Sequence, residues 1–364
     1  MTHQTQLRAG EPLAPMISDG SYTARHQPPS QLLPHHLQLI QMGSLLVPRV
    51  LYAAAKLGLA DQLGAGPKSA AELAGPMKLH ALSLHRLMRT LASLGILTER
   101  EEQRFDLTPL GAALKTGTSN SARSTLLTLG SPWIQRAWDH FHYSLETGKA
   151  GIEKAWGMPF FDYLAQHAED ATLFSETMVV FHSSEAPAVA NAYDFSVFES
   201  VVDVGGGTGN LLGTILARHA GPRGVLFDRP HVVPDAPRIL KTHGVEERVT
   251  IETGDFFQTV PAGSDAYLLS HIIHDWNEEQ CPIILRHCRE AIKPDGRLLI
   301  VENVLPAGDA PHPGKLLDMA MLVLLGGQER TETEYAVLLD RAGFRLTRVV
   351  PTASAVSVLE AVPA

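Results

Sequence analysis

The segment LLSHIIHDWNEEQC, Leu268–Cys281, holds His271, His274 and Asp275 where an apolar, strand-like run turns polar within a few residues. An imidazole at such a turn is suited to take a proton near neutral pH or to hold a metal. Three positions on one short strand-to-helix turn rarely converge on a single ion, and no further His/Cys pair stands at ligand spacing, so no metal is expected. Cys281 and Cys288 are the only cysteines; they lack CxxC spacing and make no disulfide framework, which suits a reducing cytoplasm. A catalytic base and no chemistry at all are the readings left open for His271 and His274. Asp275 can touch a substrate or cap the helix that follows; capping or positioning is the simpler reading.

A second chemical signal is VVDVGGGTGNLLGTIL, a buried strand, a tight glycine loop and a helix. Gly205, Gly207 and Gly209 let the chain turn sharply and let a ligand approach the backbone, and the helix N-terminus behind them favours a negative group. A dinucleotide loop needs a further glycine where Asn210 stands, which weakens a nicotinamide reading. Asp203, just before the glycines, suits a cationic ligand; S-adenosylmethionine carries both an ammonium and a carboxylate there. The next strand, GVLFDRP, ends in Asp228, an acceptor for ribose hydroxyls in either cofactor. The one after, IETGDFF, ends in Asp255 and Phe256, a carboxylate and a flat ring suited to an adenine.

These residues need a scaffold, and the pattern supplies one. From about Val197, strand-like runs (VVDVGGG, GVLFD, VTIETGD, AYLLSHI, GRLLIVENVL, FRLTRVV, AVSVLEA) mostly alternate with helical stretches, which predicts an α/β fold with a mostly parallel, doubly wound sheet. Residues 1–30, rich in Pro, Gln, Ser and Thr, read as a mobile tail. Residues 31–120 read as a winged-helix domain. Its apolar residues recur at helical spacing from Pro34 to Leu63, Ser69 and Glu72 form a capping box, a helix starts near Ser83 and stops at Gly95, and GILTER and QRFDLTP make a two-stranded wing. Residues 121–195 are helical and aromatic, and 196–364 form the sheet domain. Trp133, Met178, Phe181 and Met321 are candidate walls of an acceptor pocket, although such side chains more often simply fill a core. The chain is 45% hydrophobic and 19% charged with a net charge of -9, which argues against a nucleic-acid partner. No secretory signal or membrane span is expected, since Arg49 and Lys56 interrupt the apolar LLVPRVLYAAAKLGLA, which reads as a core or interface helix.

Taken in order, DVGGGTG, FDRPHVV, GDFF, HDWNEEQC, VENVLP and GGQERTETEY, with AAAKLGLAD, LHRLMRTLASLGIL and FDLTPLG before them, resemble a known family. They are similar to the S-adenosylmethionine-dependent small-molecule O-methyltransferases, the metal-independent, caffeate O-methyltransferase-like group, here of the actinomycete natural-product type. The resemblance covers about residues 35 to 362. It implies a Rossmann-like class I methyltransferase fold, an N-terminal, mostly α winged-helix dimerisation domain, a homodimer and no membrane. It implies cofactor contacts at Gly205, Gly207, Asp228, Asp255 and Phe256, with Ser270 where plant members carry a lysine near the adenine. It also implies a catalytic His274 with Glu302 and Glu329 as partner glutamates, while His271 matches no catalytic position. Arg229 departs from the usual apolar residue, and DMAMLVLL lacks an asparagine of plant phenylpropanoid enzymes.

The implied reaction is methyl transfer to a hydroxyl of a phenolic secondary metabolite. A phenol with a pKa of about 10 needs a base near neutrality, and an imidazole held by a carboxylate provides one. Glu302 ends a predicted strand and Glu329 precedes the capping box of Thr331 and Glu334, so both can face the carboxyl edge of the sheet. Alternatives are N- or C-methylation, or diversion to hydroxylation or decarboxylation. A winged-helix DNA-binding regulator is a further one, but its helix offers only Arg86 and Arg89.

Overall fold

The computed structural model describes residues 34–118 and 121–364; the expected tail over 1–30 lies outside the described residues. The chain divides into two compact units between Leu127 and Thr128. In the first, the apolar stretch from Pro34 to Leu63 is three helices, α1 (His35–Met42), α2 (Leu46–Lys56) and α3 (Leu59–Gln62). Gly58 makes the second break with a left-handed φ of 60°. Next come β1 (Lys68–Ser69) and α4 (Ala70–Ala74), whose Ser69–Glu72 capping box has both reciprocal bonds. Helix α5 (Ala81–Ser93) starts two residues before Ser83, because the turn begins at His80, whose Nδ1 lies 3.0 Å from Ser83 Oγ. Strands β2 (Leu97–Glu99) and β3 (Arg104–Leu107) pair antiparallel as expected, and β1 adds a third strand on the far side of β3. Leu59, Leu73, Leu84, Met88, Leu91 and Phe105 fill the core beneath, and α6 (Pro109–Ala112) follows.

The stretch His35–Lys56 is exposed at its start and buried near its end. By length and mean hydropathy alone, 22 residues at 1.2, it passes for a membrane span. It is nevertheless split at Gly43–Leu45 and carries Arg49 and Lys56. Leu39, Ile40 and Leu46 are 68%, 66% and 75% exposed, whereas Ala54 and Ala55 at the other end are 2% and 1% exposed and Ala54 joins the core, so the stretch is core at its C-terminal end and open at its start.

Helix α7 (Arg123–Gly130) carries the chain across the boundary. The second unit opens with α8 (Pro132–Trp138), α9 (Phe141–Thr147), α10 (Gly151–Trp156), α11 (Phe160–Gln166), α12 (Ala168–Phe181) and α13 (Glu185–Ala192). The sheet domain then runs β4 (Ser200–Val204), α14 (Asn210–Arg218), β5 (Arg223–Asp228), α15 (Ala236–Thr242), β6 (Val249–Thr253), β7 (Ala266–Ser270), α16 (Cys281–Ala291) and β8 (Arg297–Glu302). It ends with β9 (Val304–Leu305), α17 (Gly314–Leu324), β10 (Arg330–Thr331), α18 (Glu332–Arg341), β11 (Phe344–Pro351) and β12 (Ser357–Pro363). The strand order is β11-β12-β8-β7-β4-β5-β6, with β12 antiparallel to both neighbours and the other pairs parallel. The central strands are mostly apolar because helices cover both faces. The order reverses at β4, which lies between β5 and β7, and ligands of open α/β sheets bind outside the carboxyl ends at such a switch point.

The run GRLLIVENVL, read as one strand, is two. It breaks at Asn303, and β9 leaves the main sheet to pair in parallel with β10, Val304 opposite Arg330 and Leu305 opposite Thr331. That short ladder draws the loop before α18 toward the end of β8.

Candidate active site

The carboxyl ends of β7, β4, β5 and β6 stand side by side. At about 4.8 Å per strand they span roughly 14 Å, the reach of an extended nucleoside with an amino-acid arm. Gly205, Gly207 and Gly209 adopt φ of 73°, 60° and 77°, which only glycine takes at little cost. Asp228, partly buried, accepts the Gly207 N–H at Oδ2 (2.8 Å) and the Arg229 N–H at Oδ1 (2.6 Å). Burial pushes its carboxyl up, and those two amide bonds work the other way. Asp255 accepts the Phe257 N–H (2.9 Å), and the Phe256 ring reaches back toward Gly205. Ser270 ends β7 beside them, partly buried. The space beside Gly207 is open, with no heavy atom within 4 Å of where a Cβ would stand. The row therefore fits a nucleoside cofactor: glycine backbone in the middle, carboxylates and a ring to one side.

Asp203 is a correction. It is 1% exposed, and its carboxylate is tucked against Gly206, beneath the loop, where a Cβ would collide with it. Burial and the neighbouring Asp228 push it up to about 7. A group with no surface cannot serve as the expected contact for a ligand's cation; its place is under the loop.

On the other side of the switch point, β7 ends in a sharp bend. His271 takes a left-handed φ of 52°, a strained conformation for a residue with a Cβ, and the chain then enters the turn Ile273–Asp275. His274 is buried, and its Nδ1 lies 2.7 Å from Glu329 Oε1. Glu302 does something different from what was expected. Its Oε1 accepts the backbone N–H groups of Ile273 (2.7 Å) and His274 (3.1 Å), and its Oε2 accepts the Tyr335 hydroxyl. One glutamate thus holds the imidazole and the other holds the loop that carries it. The two loops also lock together directly: Gln328 N–H donates to the His274 carbonyl (2.9 Å), and a Cβ on Gly327 would overlap that same oxygen. Asp318 accepts the Glu329 N–H (2.9 Å).

Burial opposes a charged His274, but the Asp275 carboxylate, the Glu329 hydrogen bond and the Glu302 charge outweigh it and raise the imidazole to about 10. Burial pushes Asp275 up to about 6. Asp275 Oδ1 lies 3.4 Å from His274 Nε2, so it faces the nitrogen that Glu329 leaves free. It caps nothing: Asn277 Oδ1 accepts the Glu279 and Gln280 N–H groups that precede α16.

The other candidates scatter. Trp133 is 3% exposed and stacked on Tyr163 at 5.0 Å, inside the core formed by α8, α10 and α11. Phe181 is 50% exposed at the end of α12. Helix packing turned one inward and the other outward. Met178 is partly buried on α12, and Met321 is 8% exposed on α17. Trp276 packs edge-on against Phe257 at 4.7 Å. Both line a cavity of about 410 Å³ with Phe160, Phe161 and Arg229. Arg229 thus opens on a cavity one residue from Asp228. Sequence reasoning missed Tyr335, Asp318 and Arg330; only the adjacent charges in GGQER hinted at the last.

Two clusters each bring three possible metal-ligating groups within 4.8 Å of one another. In the first, Glu302 already accepts three donors, and His274 Nδ1 is taken by Glu329. In the second, His271 Nε2 is 2.8 Å from Glu185 Oε2, and the His182 ring stacks on His271 at 4.1 Å with 4° between planes. With the rings this close to parallel, one ion cannot lie in the plane of both at once. Their stacking instead gives His271 a packing role.

A switch-point cofactor row beside a buried His–Glu pair defines a class I methyltransferase. The O-methyltransferase domain profile matches residues 138–345, and the O-methyltransferase dimerisation domain profile matches 39–117. The chain belongs to this family and is an S-adenosylmethionine-dependent O-methyltransferase. It is 45% identical over 317 residues to a phenazine O-methyltransferase, PhzM, of Lysobacter antibioticus, across 87% of this chain and 93% of that one. Its fold matches the crystal structure of LaPhzM with a TM-score of 0.85 at 44% identity, covering 91% of this chain and 100% of the other. It also matches NcsB1, an O-methyltransferase from neocarzinostatin biosynthesis, with a TM-score of 0.80 at 30% identity, covering 91% and 100%. That structure holds S-adenosylmethionine and 2-hydroxy-5-methyl naphthoic acid.

Proposed function

We propose that this enzyme methylates a phenolic hydroxyl of a small aromatic metabolite, with His274 as general base, and that it works as a homodimer. The single observation that carries the reading is the buried His274 Nδ1–Glu329 contact of 2.7 Å. A carboxylate on Nδ1 keeps the proton there and leaves Nε2 to take one from an acceptor. Glu302 holds the loop, and Asp275 stands beside Nε2 to orient the hydroxyl. Asp228, Asp255, Phe256 and Ser270, with the backbone of Gly205 and Gly207, would hold the cofactor, which supplies an electrophilic methyl on a sulfonium. The acceptor O–H bond breaks as the O–CH₃ bond forms, and the proton passes to Nε2. The three carboxylates favour a protonated imidazole at rest, and a second cation bound in the same site opposes that charge and lowers the imidazole in the direction of the neutral base. Met178 and Met321 remain the proposed apolar walls. The homodimer reading rests on the dimerisation domain and on the exposed Leu39, Ile40 and Leu46.

A mass-spectrometric screen of phenols, anilines and aromatic carboxylic acids with methyl-labelled cofactor tests the acceptor class. Label on a phenolic oxygen supports the reading; label only on nitrogen or carbon overturns it. The base is tested by His274→Ala, which should keep cofactor affinity by calorimetry and lose about 10²–10⁴-fold in turnover. An acceptor already ionised at neutral pH should lose much less, and near-wild-type turnover with a protonated phenol would remove the assignment.

A further inference from the structure

Arg330 follows Glu329 directly and is 0% exposed, the bulkiest fully buried side chain among the described residues. A buried guanidinium is costly unless its donors are met, and here every one is. Nε and Nη2 reach Glu278 Oε1 at 3.1 and 2.9 Å. Nη1 donates to the carbonyls of Ile273 (3.1 Å) and Gln328 (3.2 Å), and Nη2 to the carbonyl of Trp276 (3.3 Å). Ile273 and Trp276 flank His274 and Asp275, and Gln328 precedes Glu329. The fork therefore ties the carbonyl side of the His274 loop to the backbone of the Glu329 loop, while Glu302 ties the N–H side of the same loop.

We infer that Arg330 is a positioning residue for the methyl transfer: its planar fork sets the distance between His274 and Glu329, and Glu278 anchors the fork. Lysine could not replace it, since an ammonium has three donors on a point charge and cannot serve five directions in one plane. The inference rests on the base reading, and a misplacement of about 1 Å in such a site can cost roughly 10²-fold in rate.

The test compares Arg330→Lys, Arg330→Ala and Glu278→Gln, the last at a half-exposed side chain that puts less strain on folding. Arg330→Lys is expected to lower kcat roughly 10²-fold with cofactor affinity within twofold, and to move the ¹⁵N-detected titration of His274 toward its ordinary range. Glu278→Gln is expected to move both in the same direction by less. Added guanidinium ion should partly restore Arg330→Ala, and ammonium should not. In a His274→Ala background, Arg330→Lys should cost little more. The inference is overturned if Arg330→Lys keeps kcat within twofold, if the His274 titration stays in place in both Arg330→Lys and Glu278→Gln, or if the double variant shows the full sum of the two losses. Should His274→Ala alone turn over normally, the base reading fails by itself. The His274 titration in Arg330→Lys then still reports separately on the positioning.

Discussion

At the residue scale, the site is a division of labour between two glutamates. Glu329 touches the imidazole, and Glu302 touches only backbone amides and a tyrosine hydroxyl. The raised His274 titration has a readable consequence. Its folded value, about 10, lies above the ordinary 6.5, so the ion pairing stabilises the fold fully below about 6.5 and fades as pH climbs toward 10. The base needs the opposite state. The kcat/KM for a phenolic acceptor is therefore expected to rise with pH from 7 toward 10, and Glu329→Gln, which weakens the hold on the cation, should shift that rise to lower pH. A profile flat across that range, or unmoved in Glu329→Gln, would contradict the assignment.

At the element scale, chemistry is set by where strands stop. Asp228 ends β5 and accepts the Gly207 amide of the glycine loop with one carboxylate oxygen and the Arg229 amide with the other. Asp228→Ala should weaken cofactor binding at least tenfold in calorimetry while leaving the fold's circular dichroism intact; unchanged affinity would remove Asp228 from the cofactor site. The β9–β10 ladder and Gly327 bring the Glu329 loop against the His274 loop. Gly327→Ala must push the loops apart, and the expected result is a kcat roughly 10²-fold lower with little change in cofactor affinity. Full activity in this variant would mean that the loops close without that contact.

At the scale of the whole molecule, a net charge of -9 and a first unit with exposed leucines on α1 and α2 suit self-association better than nucleic-acid binding. Leu46, 75% exposed, gains nothing inside its own chain. Leu46→Asp should leave the secondary structure unchanged and shift the mass in light scattering from dimer toward monomer. A wild-type mass for Leu46→Asp together with Ile40→Asp would place the interface elsewhere.

Much was legible without coordinates. The capping boxes at Ser69 and Thr331, the left-handed glycines after Val204 and the seven strands follow from neighbours in the chain, so short patterns report them. That the proposed cofactor residues line up in a row was legible for a related reason: consecutive strands of a doubly wound sheet must end on one edge. The inward turn of Asp203, the burial of Trp133 and the outward turn of Phe181 were not legible, because each depends on what packs from a distant part of the sequence. The same holds for the His274–Glu329 pairing. The sequence by itself determined that His274 stands at a strand end, with Glu302 at another and Glu329 in a loop before a helix. Only the tertiary structure decided which glutamate meets the ring and which the backbone, because that choice depends on a two-residue ladder and a glycine contact that bring positions 302, 274 and 329 together.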